Sequence, residues 1–376
     1  HHLVADKTLG TSDLETRAMS GDGGLTLTEM APYGVIGAIT PSTNPSCTII
    51  CNSICMLAGG NAVIFNPHPH AKRISAYAVD LVNRAVLAAG GPENIVATVA
   101  NPTMETSNMM VNHPSVRMLV ATGGPGVVKM LLSSGKKAIG AGAGNPPVIV
   151  DETADIKKAA KDIIDGCTFD NNLPCIAEKE VFALSPIADE LIHYMLQNGC
   201  YMLSSDQVKQ LEDVVLVWKE TKSGKKVRVI NKSWVGRDAK KILAQIGVNV
   251  SDDIRCIICE TDFSQAFVQT ELMMPILPIV RVNTFDEAVE MAVKAEHGNR
   301  HTAHLHSKNV DHMTQYAKAI ETTIFVKNAP SYAGIGFNAE GWTTFTIAGP
   351  TGEGITSPRS FTRLRRCVLS DALYII

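Results

Sequence analysis

Short, continuous apolar runs alternate along most of this chain with longer stretches in which apolar residues recur at helical spacing. Runs at 34–40, 62–65, 95–99, 116–121 and 137–139 read as strands, and the stretches 46–58, 71–88, 103–111 and 126–132 read as helices. A second series follows, with strands at 148–150, 180–184, 254–259, 276–282 and 322–326 and helices at 155–164, 188–196, 285–295 and 310–320. Strands that are apolar throughout, rather than alternating, belong to parallel sheets covered on both faces, and the intervening helices are the crossovers such sheets require. The pattern predicts two α/β lobes, with a ligand site in the cleft between them at the carboxyl ends of strands.

The ends break the pattern. Residues 1–30 are polar and weakly patterned, and Gly21-Asp22-Gly23-Gly24 runs into the alternating Leu25-Thr26-Leu27-Thr28, which predicts a strand in an arm or edge hairpin. From Asn328 through Gly354 glycine, proline, serine and threonine dominate, and a long irregular segment inside a compact chain is expected to be functional lining. The last residues join a basic run to Leu373-Tyr374-Ile375-Ile376, an apolar end expected to dock against another subunit.

Length and charge narrow the function. At 376 residues the chain exceeds what one core supports. With 34 basic against 37 acidic residues, a net charge of −3 gives no bulk attraction to nucleic acid or an anionic membrane, so small molecules and other protein chains are the expected partners. No run reaches the ~18 apolar residues of a membrane helix; the longest, 47–60, is interrupted by Asn52 and Ser53. Nine cysteines without framework spacing fit a reducing compartment, the cytosol. The chain starts His1-His2 without methionine, which reads as a tag remnant on an N-terminally truncated protein.

The chemistry centres on Phe169-Asp170-Asn171-Asn172-Leu173-Pro174-Cys175-Ile176-Ala177-Glu178-Lys179. Cysteine is usually a small core residue, but two asparagines, a proline and a Glu-Lys pair make a poor core and a partly exposed, polar seat of the kind that favours a thiolate. Local chemistry leaves both readings open. Cys47, Cys51 and Cys55 fall on one helix face as a packing stripe, and Cys256 and Cys259 sit in an apolar strand with no second pair to complete a zinc site. Thr122-Gly123-Gly124-Pro125-Gly126 follows a strand and opens a helix, as a phosphate-cradling turn does, without the full dinucleotide spacing. Gly140-Ala141-Gly142-Ala143-Gly144-Asn145 reads as a tight backbone crossing. In Thr40-Pro41-Ser42-Thr43-Asn44-Pro45, Asn44 is either a helix cap or half of an oxyanion hole. Of His301, His304 and His306, the last two share a face if the segment is a strand; no carboxylate completes a metal site, and His301 is the candidate proton acceptor.

Taken in order, the blocks 39–45, 122–126, 169–179, 271–278 and 346–354 resemble the aldehyde dehydrogenase superfamily, and in particular its CoA-acylating branch, the acetaldehyde and propionaldehyde dehydrogenases of bacterial microcompartments. The resemblance runs from about Met30 to Val368. It implies a Rossmann-like nucleotide-binding lobe, a catalytic lobe and a small oligomerisation arm. The corresponding division is 1–31 arm, 32–171 nucleotide-binding, 172–346 catalytic, and 347–376 returning to the first lobe and a C-terminal arm. It implies Cys175 as nucleophile, Asn44 and the Cys175 backbone N–H as oxyanion donors, and His301 as base for the CoA thiol. Glu271 would contact the nicotinamide ribose, and Pro41, Asn66, Thr122, Gly123 and Gly124 would line the cofactor. NAD and coenzyme A are the implied cofactor and co-substrate, a short aliphatic aldehyde the substrate. A homo-oligomer, dimer or tetramer, is implied in the bacterial cytoplasm inside a microcompartment, beside shell or lumen proteins.

Two departures carry weight. Where hydrolytic relatives hold a water-activating glutamate, this chain has Ala141, which favours a thiol acceptor over water. Where they hold a lysine for the adenosine ribose, this chain has Asn66-Pro67-His68-Pro69, so NAD over NADP rests on the resemblance. The small apolar Ile176 and Ile335 are candidates for the aldehyde pocket. The rival readings are a hydrolytic aldehyde dehydrogenase or thioesterase releasing free acid, and an inactive scaffold subunit of a microcompartment.

Overall fold

Helix α1 (His2–Lys7) puts Val4 into an apolar cluster with Ile36, Phe65 and Met118, so the first residues are part of a core and not of an arm. Strands β1 (Arg17–Gly21) and β2 (Gly24–Pro32) form the hairpin expected from the Leu25–Thr28 alternation. The computed structural model describes residues 2–221, 224 and 226–374; the apolar end expected at Ile375-Ile376 lies outside them.

The main series begins with β3 (Val35–Thr40), α2 (Pro45–Ala58), β4 (Ala62–Pro67), α3 (Lys72–Ala88) and β5 (Val96–Thr98). It continues with α4 (Met104–Asn112), β6 (Val116–Thr122), α5 (Pro125–Leu132) and β7 (Lys137–Ala141). Their five-stranded sheet has the order β5-β4-β3-β6-β7, every pair parallel. That is the 3-2-1-4-5 order of a doubly wound fold, whose ligand crevice opens where the order reverses, beyond the carboxyl ends of β3 and β6. Cys51 and Cys55 of α2 are buried in the same apolar cluster, as the stripe predicted.

A second parallel sheet follows in β8 (Pro147–Val150), α6 (Ile156–Cys167), β9 (Glu180–Leu184), α7 (Ser185–Gln197) and β10 (Cys200–Met202). Helix α8 (Ser205–Val215), an antiparallel hairpin of β11 (Leu216–Glu220) and β12 (Lys226–Ile230), and α9 (Ala239–Leu243) fill the middle that the pattern left open. Then come β13 (Cys256–Glu260), β14 (Ile276–Val282), α10 (Phe285–Ala295), β15 (Thr302–His306), α11 (Val310–Ile320) and β16 (Ile324–Lys327). Seven strands pair in the order β10-β13-β14-β9-β8-β15-β16. The short β17 (Ile347–Ala348) and β18 (Gly354–Ile355) lead to β19 (Thr362–Ser370), which pairs with β2.

The chain clusters into two units, His1–Gly142 with Glu340–Ile376, and Ala143–Ala339. The lobe boundaries expected at 171/172 and 346/347 are therefore corrected to 142/143 and 339/340. Strand β8 pairs with β9 and β15, so 143–171 joins the second sheet. An apolar run does not announce which of two sheets it will enter. Likewise 1–31 is not one arm: the side chain of Asp13 accepts from Ser357 Oγ (2.6 Å) and the Arg359 backbone N–H (3.0 Å), tying the first residues to the returning segment. That returning segment is less a lining than a polar interior. Buried Thr344 and Thr356 bond at 2.6 Å, and Thr356 donates to the Thr346 carbonyl at 2.7 Å.

Candidate active site

Within the first unit, Pro41 follows β3 and Thr122-Gly123-Gly124 closes β6, on the two sides of the switch point. Thr122 is buried and its hydroxyl lies 2.9 Å from that of Thr346, which fixes the turn. A Cβ placed on Gly123 or Gly124 would meet nothing within 4 Å, so open space lies over the start of α5. Gly123 gives its N–H to the Ala141 carbonyl at 3.0 Å, so the open face at Gly124 and the first turn of α5 is where a pyrophosphate would suit, and the residues present fit a dinucleotide. Asn66 is placed differently from expectation. Its amide donates to Ser107 Oγ (2.5 Å) and accepts from Thr106 Oγ1 (3.1 Å), so it ties α4 to the end of β4. A buried amide satisfied in this way is positioning the turn rather than reaching for a ligand.

Asn44 occupies the N-cap position of α2, but its side chain caps nothing. Instead its Oδ1 accepts from Thr48 Oγ1 (3.2 Å) and Thr43 Oγ1 (3.4 Å). With the oxygen so engaged, the NH₂ is the end left for a further acceptor, as an oxyanion donor requires.

Within the second unit, Asp170, Asn171 and Asn172 are consecutive residues at positive φ (48°, 51° and 66°), ahead of Leu173-Pro174-Cys175. Asparagine and aspartate are the non-glycine residues best suited to this region, which explains the polar run before the cysteine. Asn172 is buried, and its Nδ2 donates to the carbonyls of Cys167 (2.9 Å) and Glu178 (2.9 Å), holding the loop to α6 and to its own far end. Lys179, also buried, donates to the Asn172 carbonyl (2.9 Å), Asn172 Oδ1 (2.6 Å) and the Pro174 carbonyl (3.3 Å). Glu178 turns the other way, accepting from the Ser331 backbone N–H at 2.8 Å, and burial pushes its carboxyl up to about 8.

Gly144 lies among three of the candidate residues. A Cβ there would lie 2.8 Å from the Cys175 carbonyl oxygen and 3.0 Å from His301 Cγ, and its N–H points at Glu271 Oε1 at 3.5 Å. The tight crossing read from the glycine run is thus real, and it brings Cys175, His301 and Glu271 together in the second unit. Asn145 locks the crossing by donating to the carbonyls of Val268 and Ala295, both at 3.0 Å. Ala141 is buried in β7 and presents no acid.

The electrostatics differ from the expected thiolate seat. Cys175 is half-buried, and burial, then the Glu271 carboxylate, pushes its thiol up to about 12, while Lys179 pulls the other way. Burial also raises Glu271, against the lowering charge of Lys179. His301 is driven down to about 4 by burial and by Lys179, so it is neutral at pH 7. Its Nδ1 lies 2.8 Å from Thr302 Oγ1, and its buried Nε2 has no partner among the described residues. Ile176 and Ile335 are both buried, at 2 % and 5 % exposure, which removes them as open pocket walls. Lys179 and Asn172 went unnoticed as functional candidates; the signal was a lysine four positions after the cysteine, readable only as a polar neighbour.

A doubly wound sheet, a second parallel sheet and a cysteine presented on a clamped loop define an enzyme of the aldehyde dehydrogenase kind. Residues 4–343 match the aldehyde dehydrogenase family, and the chain belongs to it. Among curated relatives, it is 50% identical over 370 residues to an acetylating acetaldehyde dehydrogenase of Salmonella typhimurium, covering 98% of this chain and 79% of the relative. Among solved structures, it is similar to a propionaldehyde dehydrogenase from the Clostridium phytofermentans fucose utilisation bacterial microcompartment. The TM-score is 0.95 at 60% identity, with 100% of this chain and 85% of that one covered. A Rhodopseudomonas palustris propionaldehyde dehydrogenase, solved with bound CoA and an acylated cysteine, matches at TM-score 0.93 and 56% identity, covering 99% of this chain and 83% of that one.

Proposed function

We propose that the protein is a CoA-acylating aldehyde dehydrogenase, oxidising a short aliphatic aldehyde such as propionaldehyde or acetaldehyde to its acyl-CoA. The observation that carries this reading is the Gly144 crossing, which the Cys175 backbone, the His301 ring and the Glu271 carboxyl all approach, in a chain similar to an enzyme solved with CoA and an acylated cysteine. Cys175 gives its S–H proton to solvent water and, as the thiolate, attacks the carbonyl carbon, the carbonyl π pair moving to oxygen. Asn44 and the Cys175 backbone N–H donate to that oxyanion. Pro41, Thr122, Gly123, Gly124 and Glu271 would hold NAD⁺, which would supply the hydride acceptor. The acyl group then rests on the Cys175 sulfur as a thioester, splitting oxidation from transfer. His301, neutral at pH 7, takes the CoA thiol proton as its sulfur displaces Cys175. Asn66 serves this reading indirectly, by shaping the turn after β4.

Glu271 favours one alternative, because a carboxylate beside the thioester could direct water and release free acid. Mass spectrometry of the products of propionaldehyde, NAD⁺ and CoA decides between them. Propionyl-CoA is expected, and propionate as the main product would overturn the acylating reading. Cys175→Ala is expected to abolish NADH formation. The exposed sheet of β1, β2 and β19 is the proposed subunit contact of a dimer or tetramer. The Clostridium phytofermentans relative's setting supports a place inside a bacterial microcompartment in the cytoplasm.

A further inference from the structure

We propose that Lys179 is the positioning residue of the nucleophile: its buried ammonium clamps the Cys175 loop through oxygens of neutral groups and thereby keeps a positive charge available to the Cys175 thiolate. The inference rests on the reading of Cys175 as nucleophile. Three facts carry it. All three hydrogen bonds of the Lys179 ammonium end on Asn172 O, Asn172 Oδ1 and Pro174 O, so no acceptor it contacts carries a formal charge. The bonds fall on the last residue of the left-handed run 170–172 and on the proline that immediately precedes Cys175, so the ammonium and the cysteine are held by one short stretch of backbone. Asn172 in turn ties to Cys167 and Glu178, so the clamp is anchored at both ends of the loop.

A lysine brought into an interior ordinarily pairs with a carboxylate, which would spend its charge locally. Burial lowers the Lys179 pKa, and against it Glu271, Cys167, Cys175 and Glu180 favour the ammonium, whose charge is felt also at Glu178 and His301. Of these, Glu178 and Glu180 are buried carboxyls whose protonated forms are favoured, and Cys167 is a fully buried thiol. The acceptors of its field that work in the chemistry are Cys175 and Glu271. For the thiol the two oppose each other: Glu271 disfavours the thiolate and Lys179 favours it. A nearby lysine is a recognised means of raising the thiolate fraction of a cysteine. Burial first, and the same charge second, keep His301 neutral.

The test is iodoacetamide labelling of Cys175, scored on its own peptide, from pH 6 to 10 in the wild type, Lys179→Gln and Lys179→Met, with a melting temperature for each. Lys179→Gln retains amide donors for the loop carbonyls without the charge; Lys179→Met removes both. Both variants are expected to label about tenfold more slowly at pH 7, the profile moving up by about one pH unit. Lys179→Gln is expected to melt above Lys179→Met. Profiles of the folded variants coinciding with the wild type would overturn the proposal, even if aldehyde turnover fell, because the lysine would then be structural only. A failure of the underlying reading is seen separately, as NADH formation surviving in Cys175→Ala.

Discussion

Asn44 and His301 show how one side chain acquires a role from what holds it. Thr43 and Thr48 donate to the Asn44 oxygen, which leaves its NH₂ for the oxyanion in the proposed reaction. Asn44→Ala is expected to lower kcat by about 10² to 10³, the usual loss for one oxyanion donor, with little change in melting temperature because the side chain caps no helix. Stopped-flow NADH formation beside a thermal melt checks both halves. For His301, the expected loss lies in the second half-reaction: His301→Ala keeps the first burst of NADH and slows the CoA-dependent steady state by about 10². Cys175, Asn44 and the Thr122 turn are candidates in the sequence because each lies in a short block of unusual residues, and Glu271 is one only through the resemblance. Lys179 and Asn172 are not, because their roles come from burial, and a polar letter in a loop does not reveal that it will be buried. The protonated state of Cys175 was hidden for the same reason.

At the scale of elements, the loop from α6 to β9 concentrates the demands of the site. Its left-handed run needs Asp and Asn, and its interior needs the Asn172 amide. Asn172→Ala leaves the Cys167 and Glu178 carbonyls and the Lys179 ammonium short of a partner and puts alanine at φ 66°, so a loss of about 2 to 4 kcal/mol is expected in urea unfolding. Glu178 carries a pH signature. Its folded carboxyl is raised to about 8, so the stability it contributes is present below about 4.5 and is lost as pH rises toward 8. Glu178→Gln is therefore expected to gain melting temperature over the wild type progressively between pH 5 and 8, with the gain levelling off above. Most helices and strands of both sheets were legible from periodicity, since apolar runs and amphipathic stretches alternate cleanly. β19 was not: it is exposed along eight of its nine residues, and a strand with no buried face shows no alternation. β15 was hidden by its histidines, all of which turn out to be buried.

For the whole molecule, two α/β units were legible and their seams were not, because strand partnership is decided in space. The second unit buries His301, His304 and His306 with ring values near 4, 3 and 3, against about 6.5 when unfolded. The sign follows: the unfolded chain takes up protons first, so stability falls as pH drops from about 6.5 toward 3, at up to about 1.4 kcal/mol per histidine per pH unit. Urea midpoints at pH 7, 6 and 5 check this, and a flat series would contradict it. The central claim is that the thioester on Cys175 waits for a thiol. Rapid mixing of the enzyme with propionaldehyde and NAD⁺, with CoA withheld and then added, measures it directly. A burst of about one NADH per active site that stalls, then resumes as steady turnover on CoA addition, is the predicted result. Sustained turnover without CoA, at a rate equal to that with it, would contradict the account.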